Sequence, residues 1–387
     1  MNYGEEALKL HKKFQGKLGI VSRVALKTRH DLSLAYTPGV GAVSEYIAQN
    51  PKAVYDLTLK GRTVAVISDG SAVLGLGNLG PEAALSVMEG KCLIFKEFAG
   101  LDAFPIVIDE KDPKEIIKII KAIAPTFAAI NLEDISAPRC FEIEEALMDL
   151  GIPVMHDDQH GTAIAILGPL RATVGLSKRN WFGLKVVISG AGAAGTAVAK
   201  MLTCHEMDSL YCSAVFDVIV VDSKGIIHRE RKGLDSFKMD LAKFTNKNNA
   251  IGDLSKALEG ADVFIGLSRG GVLKPEYIKK MAKDPIIFAM ANPDPEIIPA
   301  DAKKMGVRFI ATGRSDFPNQ VNNALVFPGI FQGAIKARAK KITPRMKLAA
   351  AEALSRNIKD PTPDNFVPSI FDPEVVKTVS LAVHDAS

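Results

Sequence analysis

The chain has 387 residues, 47% hydrophobic and 24% charged, with a formal net charge of +4. That length exceeds what one hydrophobic core serves, so two domains are expected. The small, scattered charge gives no case for nucleic acid or an acidic membrane surface as a partner.

The N-terminus "MNYGEEALKLHKKFQG" is charged throughout and lacks an apolar secretion core. Short β-rich runs then alternate with runs of helical period, the pattern of an α/β fold. "TVAVISD" (63–69), "AFPIVID" (103–109), "FAAINLED" (127–134) and "IPVMHDD" (152–158) read as buried strands: apolar, β-branched and ending in polar residues. Between them "PEAALSVMEG", "DPKEIIKIIKAIAP" and "CFEIEEALMDLG" have helical spacing with Gly or Pro at their ends. A long helix follows, "GTAIAILGPLRATVGLSK". Its apolar stretch stops at Arg171, short of the ~20 residues of a membrane span.

A second alternation begins with "LKVVISG" and continues through "VFDVIVVD", "ADVFIGLS", "PIIFAMANP" and "VRFIATG". After "NNALVFPGIF" the chain reads as helical in "QGAIKARAKK" and "RMKLAAAEALSRN", then ends in a Pro-rich tail, "KDPTPDNFVPSIFDP". Three parts are expected: residues 1–160, an N-terminal α/β domain for substrate and metal; 161–325, a Rossmann-type doubly wound domain; and 326–387, C-terminal helices packing back on the first domain. Cys92, Cys140, Cys204 and Cys212 have neither C-x-x-C nor zinc spacing, and read as reduced thiols of a cytoplasmic protein.

"SGAGAAG" places Gly190, Gly192 and Gly195 in G-x-G-x-x-G spacing, with Ala193 and Ala194 between the second and third. The loop follows a strand and opens an apolar helix, the context a dinucleotide site requires. The first glycine makes the turn, the second admits a pyrophosphate, and the third lets helix and strand pack closely. The next strand ends at Asp222, further along than the usual ~20 residues, so "CHEMDSLYCSA" lengthens the connection. An acid there accepts hydrogen bonds from both ribose hydroxyls, which favours NAD. Ser223 and Lys224 follow and could bind a 2′-phosphate, so NADP stays open.

"INLEDI" carries Glu133 and Asp134 at one strand end, and "HDD" carries Asp157 and Asp158 at the next. In a parallel sheet those ends share one edge, where ligands bind. Four carboxylates in one crevice repel without a cation. Oxygen-only ligands suit Mg²⁺ or Mn²⁺. Adjacent strand residues face opposite ways, so Glu133, Asp134 and Asp158 are expected as ligands and Asp157 as a neighbouring group or base. His156 and His160 have no third nitrogen or sulfur ligand for zinc. They read as a satisfied strand-end residue and a residue near a helix start.

"AYTPGV", "DGSAVLGLGNLGP", "EGKCLIFK", "INLEDI", "HDDQHGTA", "GAGAAG", "ANPDPEI" and "QVNNALVFPGI" occur in this order. With them, from about Val21 to Arg338, the sequence resembles the malic enzymes, in their compact bacterial and archaeal branch. The resemblance implies oxidative decarboxylation of (S)-malate to pyruvate and CO₂ with reduction of NAD or NADP. It also implies a divalent metal, oxaloacetate decarboxylation as a side activity, and a homodimer. Tyr36 matches the family's proton donor and Lys91 its general base, with Lys96 as a rival. Glu133, Asp134 and Asp158 match the metal ligands. Asn292, Asn322 and Asn323 match positions that bind substrate near the nicotinamide. As a base, Lys91 is expected to be neutral, its pKa lowered by burial and metal. Larger relatives carry an arginine in the "DG…LGLG" segment, where this chain has Ala72 and Val73. Another cation must then hold that substrate carboxylate.

Overall fold

The computed structural model describes residues 3–74 and 76–387. Met1, Asn2 and Gly75, the last within the "LGLG" run, lie outside the described residues.

Two sheets organise the chain. In the first, β1 (Thr63–Ser68) lies between β2 (Asp102–Val107) and β3 (Ala129–Leu132), with β4 (Val154–His156) outside β3, all parallel. β1 is buried throughout, as a strand covered by helices on both faces must be. Leu132 pairs with His156. The residues after them, Glu133 and Asp157, therefore emerge side by side at one edge.

The second sheet has the order β10-β9-β8-β5-β6-β7. It comprises β5 (Lys185–Ser189), β6 (Asp217–Asp222), β7 (Gly225–Ile226), β8 (Val263–Gly266), β9 (Ile286–Ala289) and β10 (Phe309–Thr312). Only β7, a two-residue strand the sequence reading lacked, is antiparallel. The strand order reverses around β5, which places the glycine loop at the switch point where ligands bind.

Helices α1 (Tyr3–Phe14), α2 (Arg29–Ala35), α3 (Gly39–Gln49) and α4 (Val54–Leu57) precede the first sheet and contain no buried residue. Around the first sheet lie α5 (Pro81–Ala99), α6 (Pro113–Ile123) and α7 (Arg139–Leu147), then the long α8 (Asp157–Leu176). α5 runs well past the "PEAALSVMEG" expected and ends only at Gly100, whose left-handed φ of 65° closes it. Lys91 is thereby placed on a helix. α8 starts at Asp157, four residues before the expected Gly161, because both aspartates suit the positive end of a helix.

The second sheet carries α9 (Ala193–Thr203), α10 (Ser236–Phe244), α11 (Leu254–Ala257), α12 (Pro275–Ile278) and α13 (Pro299–Lys304). The lengthened connection after α9 is closed by a disulfide between Cys204 and Cys212. This corrects the reading of four reduced thiols: only Cys92 and Cys140 are free. A turn eight residues long brings the two Cα atoms to 5.7 Å, within disulfide reach.

The C-terminal part forms α14 (Phe327–Lys336), α15 (Pro344–Arg356) and α16 (Pro373–Asp385). α16 corrects the expected Pro-rich tail: Asp372 caps it and Pro373 starts it. α14 packs on α5 through Phe327 and Phe331, whose rings stand 4.7 and 5.4 Å from Phe95. Gln332 donates to the Ala99 carbonyl at 2.8 Å. α15 lies along α8.

Candidate active site

The register of β3 and β4 determines what meets at the sheet edge. Glu133, Asp134 and Asp158 each present one oxygen, and these atoms lie within 4.8 Å of one another. The backbone N–H of Asp134, at a left-handed φ of 53°, donates to Asp158 Oδ2 at 2.8 Å. Asn131 donates to Glu133 Oε2 at 2.9 Å. Asp134 Oδ2 is buried without a partner. Three oxygen donors, one of them an orphaned buried oxygen, fit a hard divalent ion.

Lys91 reaches the cluster from α5 and is 8% exposed. Its Nζ lies 2.6 Å from Asp157 Oδ2, 2.8 Å from Glu133 Oε1, and 4.3 Å from the centre of the Phe327 ring. Asp157 is fully buried, and its Oδ1 has no partner. It stays apart from the three-oxygen group because β4 ends before it: on the first turn of α8, Asp157 and Asp158 point differently. Gly161 makes room for it, since a Cβ there would collide with the Asp157 carboxylate.

Electrostatics follow from this crowding. Burial first, then Asp158, pushes the Asp134 carboxyl up to about 7. Burial also raises Glu133 well above its usual range, against the pull of Lys91. Asp157 is raised by burial too, again opposed by Lys91. For Lys91 the balance is reversed. Burial alone would lower its pKa, but Asp157, Glu133 and Asp158 outweigh it and raise it. The carboxylates alone thus favour the ammonium form of Lys91, so a neutral amine there requires a cation that offsets them. Lys96, the rival base, instead pairs with Asp102 at 2.7 Å on the exposed side of α5.

Tyr36 caps the end of α2 and is 66% exposed. No hydrogen bond or ion pair described here joins it to the acids. Asn292 follows β9, and a Cβ at Gly313 would meet its amide at 3.0 Å. Asn322 accepts from the Ala324 N–H at 2.8 Å. Asn323 lies against Gly161, so this asparagine abuts the start of α8.

The glycine loop leaves β5 at Gly190, with φ of 122°. Side chains at Gly190 and Gly195 would collide with the carbonyls of Leu267 and Gly190, respectively. Gly192 caps α9, whose first turn is Ala193, Ala194 and Gly195. Asp222 ends β6 as expected, but its carboxylate is already engaged: Arg231 Nη2 donates to both oxygens at 2.7 and 2.8 Å.

The sequence reading missed a second polar group behind the acids. Glu144, on α7, accepts from the His156 N–H at 2.8 Å, from Gln159 at 3.2 Å, and pairs with His160 at 2.9 Å. Burial works against its ionisation, but His160 and Lys347 outweigh it and hold the carboxyl down at about 2. His156 is not the satisfied residue expected, for neither ring nitrogen has a hydrogen-bond partner. Its Nε2 lies 3.6 Å from Asp158 Oδ2. A signal was present. Cys140, Ile143, Glu144 and Leu147 form the buried stripe of α7, and an acid on an apolar stripe needs a partner.

Two α/β units, one with a glycine loop at the switch point of a largely parallel sheet and one ending in convergent carboxylates, define a dinucleotide-dependent dehydrogenase with a metal-type acid cluster. Family sequence models narrow the class. "Malic enzyme, N-terminal domain" matches residues 15–148, and "Malic enzyme, NAD binding domain" matches 159–386. The chain is 52% identical to the NAD-dependent malic enzyme of Geobacillus stearothermophilus, over 96% of this chain and 77% of that one. It is 50% identical to the bifunctional malic/malolactic enzyme of Bacillus subtilis, over 100% and 93%. A crystal structure of an NAD-dependent malic enzyme from Thermotoga maritima superimposes with a TM-score of 0.93 at 47% identity, covering 98% of each chain. Other relatives, 42% identical, are named NADP-dependent malic enzymes. The chain belongs to the malic enzyme family.

Proposed function

We propose that this chain converts (S)-malate to pyruvate and CO₂ with reduction of NAD⁺ or NADP⁺, dependent on Mg²⁺ or Mn²⁺, with oxaloacetate decarboxylation as a side activity. One observation carries the reading: buried Lys91 stands beside three convergent carboxylates. A dehydrogenase that works without a metal has no use for them.

Glu133, Asp134 and Asp158 would hold the cation, which would supply Lewis acidity to the substrate oxygens. Gly190, Gly192, Ala193, Ala194 and Gly195 cradle the coenzyme pyrophosphate at the start of α9, and Asp222 closes the ribose end. Lys91 takes the malate hydroxyl proton at Nζ as hydride leaves C2. A dication held there would offset the pull of Glu133 and Asp158 on the Lys91 ammonium, leaving burial, which favours the neutral amine, opposed chiefly by Asp157. Asp157, 2.6 Å from Nζ, orients the amine and can accept its proton. Asn292, Asn322 and Asn323 orient substrate near the nicotinamide. After CO₂ departs, the Tyr36 hydroxyl protonates C3 of enolpyruvate.

Tyr36 needs a partner to perform that step. It belongs to a segment with no buried residue in α1–α4, where Leu32, Leu34, Val40, Val43 and Tyr46 are also exposed. A second copy covering this apolar surface brings Tyr36 to an acid cluster, so the working unit is a homodimer. The functional division is 1–160 for substrate and metal, 161–325 for coenzyme, and 326–387 as the helical segment behind α5 and α8. No described helix is long and apolar enough to cross a membrane; a cytoplasmic setting, where nicotinamide coenzyme is available, completes the reading.

Product analysis tests it. Pyruvate and CO₂ should each appear in step with reduced nicotinamide when malate is supplied. Accumulation of oxaloacetate without CO₂ would reduce the protein to a simple malate dehydrogenase.

A further inference from the structure

A cavity of about 300 Å³ opens between α8, α15, α16 and the loop that the disulfide closes. Its lining includes Arg171, Tyr211, Arg345, Glu352 and Asp385. Arg171 lies near the far end of α8 from Asp158, about 20 Å along the helix. The cavity is therefore separate from the acid cluster, and it shares no residue with the glycine loop.

The two arginines rest on rings rather than on acids. The Arg171 guanidinium lies 4.6 Å from the Trp181 ring, and that of Arg345 lies 5.0 Å from the Tyr211 ring. Trp181 is itself fixed, its indole N–H donating to the Ser213 carbonyl at 2.8 Å. Neither guanidinium has a hydrogen bond or an ion pair among the described residues. Contact with a ring face leaves the N–H donors of a guanidinium to be satisfied by something else. For Arg171 the need is real: it is half-buried, and burial lowers its pKa against the pull of Glu352. A charge withdrawn from water is costly without a hydrogen-bond partner.

The two acids of the lining do not meet that need. Glu352 Oε1 accepts from Arg356 at 3.0 Å, and Asp385 Oδ1 lies 3.1 Å from His384 Nδ1. Neither of those partners lines the cavity, so the charge left uncompensated inside it is positive. A carboxylate offers two oxygens and matches one guanidinium fork. A phosphate monoester offers three terminal oxygens and serves both forks at once. Leu348 and Ala386, each 8% exposed, form an apolar wall beside them.

We propose that this cavity is a ligand site outside the active site for a phosphate monoester, whose dianion bridges Arg171 and Arg345 while its organic part lies on the apolar wall.

The chain has a single tryptophan, and Arg171 lies over it, so Trp181 emission reports on the site. Phenyl phosphate, inorganic phosphate and benzoate are titrated into the full-length protein, followed by calorimetry and by Trp181 fluorescence. Saturating NAD⁺ keeps the glycine loop closed to phosphate. Wild type should bind one phenyl phosphate per chain, with the emission change saturating in step. Inorganic phosphate lacks the apolar body and benzoate the third oxygen, so each should bind about tenfold more weakly. Arg171→Gln and Arg345→Gln should each weaken phenyl phosphate about tenfold, the size of one charge-assisted contact. Malate turnover in phosphate-free buffer should stay at the wild-type level in both. Arg345 is exposed, so its variant keeps the test intact should Arg171→Gln fail to fold. No binding by wild type, binding that leaves Trp181 emission unchanged, or equal affinity in wild type and Arg345→Gln would overturn the proposal. Benzoate bound as tightly as phenyl phosphate would overturn the assignment to phosphate.

Discussion

Gly161 illustrates how the site is set residue by residue. It was legible only as the glycine closing "HDDQHG"; the reason for it is spatial. A methyl group there would occupy the place of the Asp157 carboxylate. Gly161→Ala should push Asp157 away from Lys91 and lower kcat roughly 100-fold, a cost typical of displacing a catalytic contact by about 1 Å, while circular dichroism stays native. A variant with unchanged kcat would detach Asp157 from the mechanism. Lys91→Ala removes the positive partner of two buried carboxylates. Its kcat should fall by roughly 100- to 10,000-fold, as for other lost acid–base groups. It should also lose about 3–5 kcal/mol of stability, as when one member of a buried ion pair is deleted. Mn²⁺ should recover part of that stability in a denaturation assay, because a dication relieves the same repulsion; equal loss with and without Mn²⁺ would separate Lys91 from the metal cluster. The acids themselves were legible because parallel strands share an edge. The charge state of Lys91 was not, because it depends on a balance between burial and three neighbours that sequence does not reveal.

At the scale of elements, the strands were readable and the helix ends were not. Apolar β-branched runs bounded by polar residues mark β1, β3 and β5 within a residue or two. α5 was cut short because Gly90 and Lys91 resemble a helix end, yet Cys92, Phe95 and Ala99 continue its buried face. α16 was hidden by the Pro-rich stretch before it. Its apolar side, Val375, Val376, Val379 and Val383, is meaningful only once α14 lies against it. There, side chains at Gly329 and Gly333 would strike Val379 and the Ser380 carbonyl. Gly333→Ala should cost about 1–3 kcal/mol by overpacking, seen as a lower denaturation midpoint; an unchanged midpoint would mean the two helices separate freely. Glu144 links α7 to α8 and α15. Its folded pKa, about 2, lies below the ~4.3 of a free glutamate. Its contribution is therefore complete above about pH 4.3 and is lost as pH falls towards 2. Glu144→Gln should be destabilised by roughly 3 kcal/mol at neutral pH, with the gap to wild type closing on acidification. A pH-independent gap would show that Glu144 acts through shape alone.

At the scale of the whole molecule, the order of the motifs announced two α/β units and their chemistry, because each motif lies at a strand end that the fold directs to an edge. Assembly was not announced in that way. The exposed apolar faces of α2 and α3 have no counterpart in a periodicity pattern, since a helix facing solvent and one facing a second copy can share a sequence. If Tyr36 works across a dimer, Tyr36→Phe and Lys91→Ala chains, each inactive, should regain up to about a quarter of wild-type turnover when unfolded together and refolded as mixed dimers. Mixtures that stay inactive would place Tyr36 and Lys91 in the same chain's site. Beneath all of this lies the grip of Glu133, Asp134 and Asp158 on a divalent cation. Calorimetric titration of Mn²⁺ into wild type and Asp158→Asn addresses it most directly. Wild type should take up a single ion per chain, and the variant should bind it ~100-fold more weakly or not at all; equal binding by the two proteins would contradict the account.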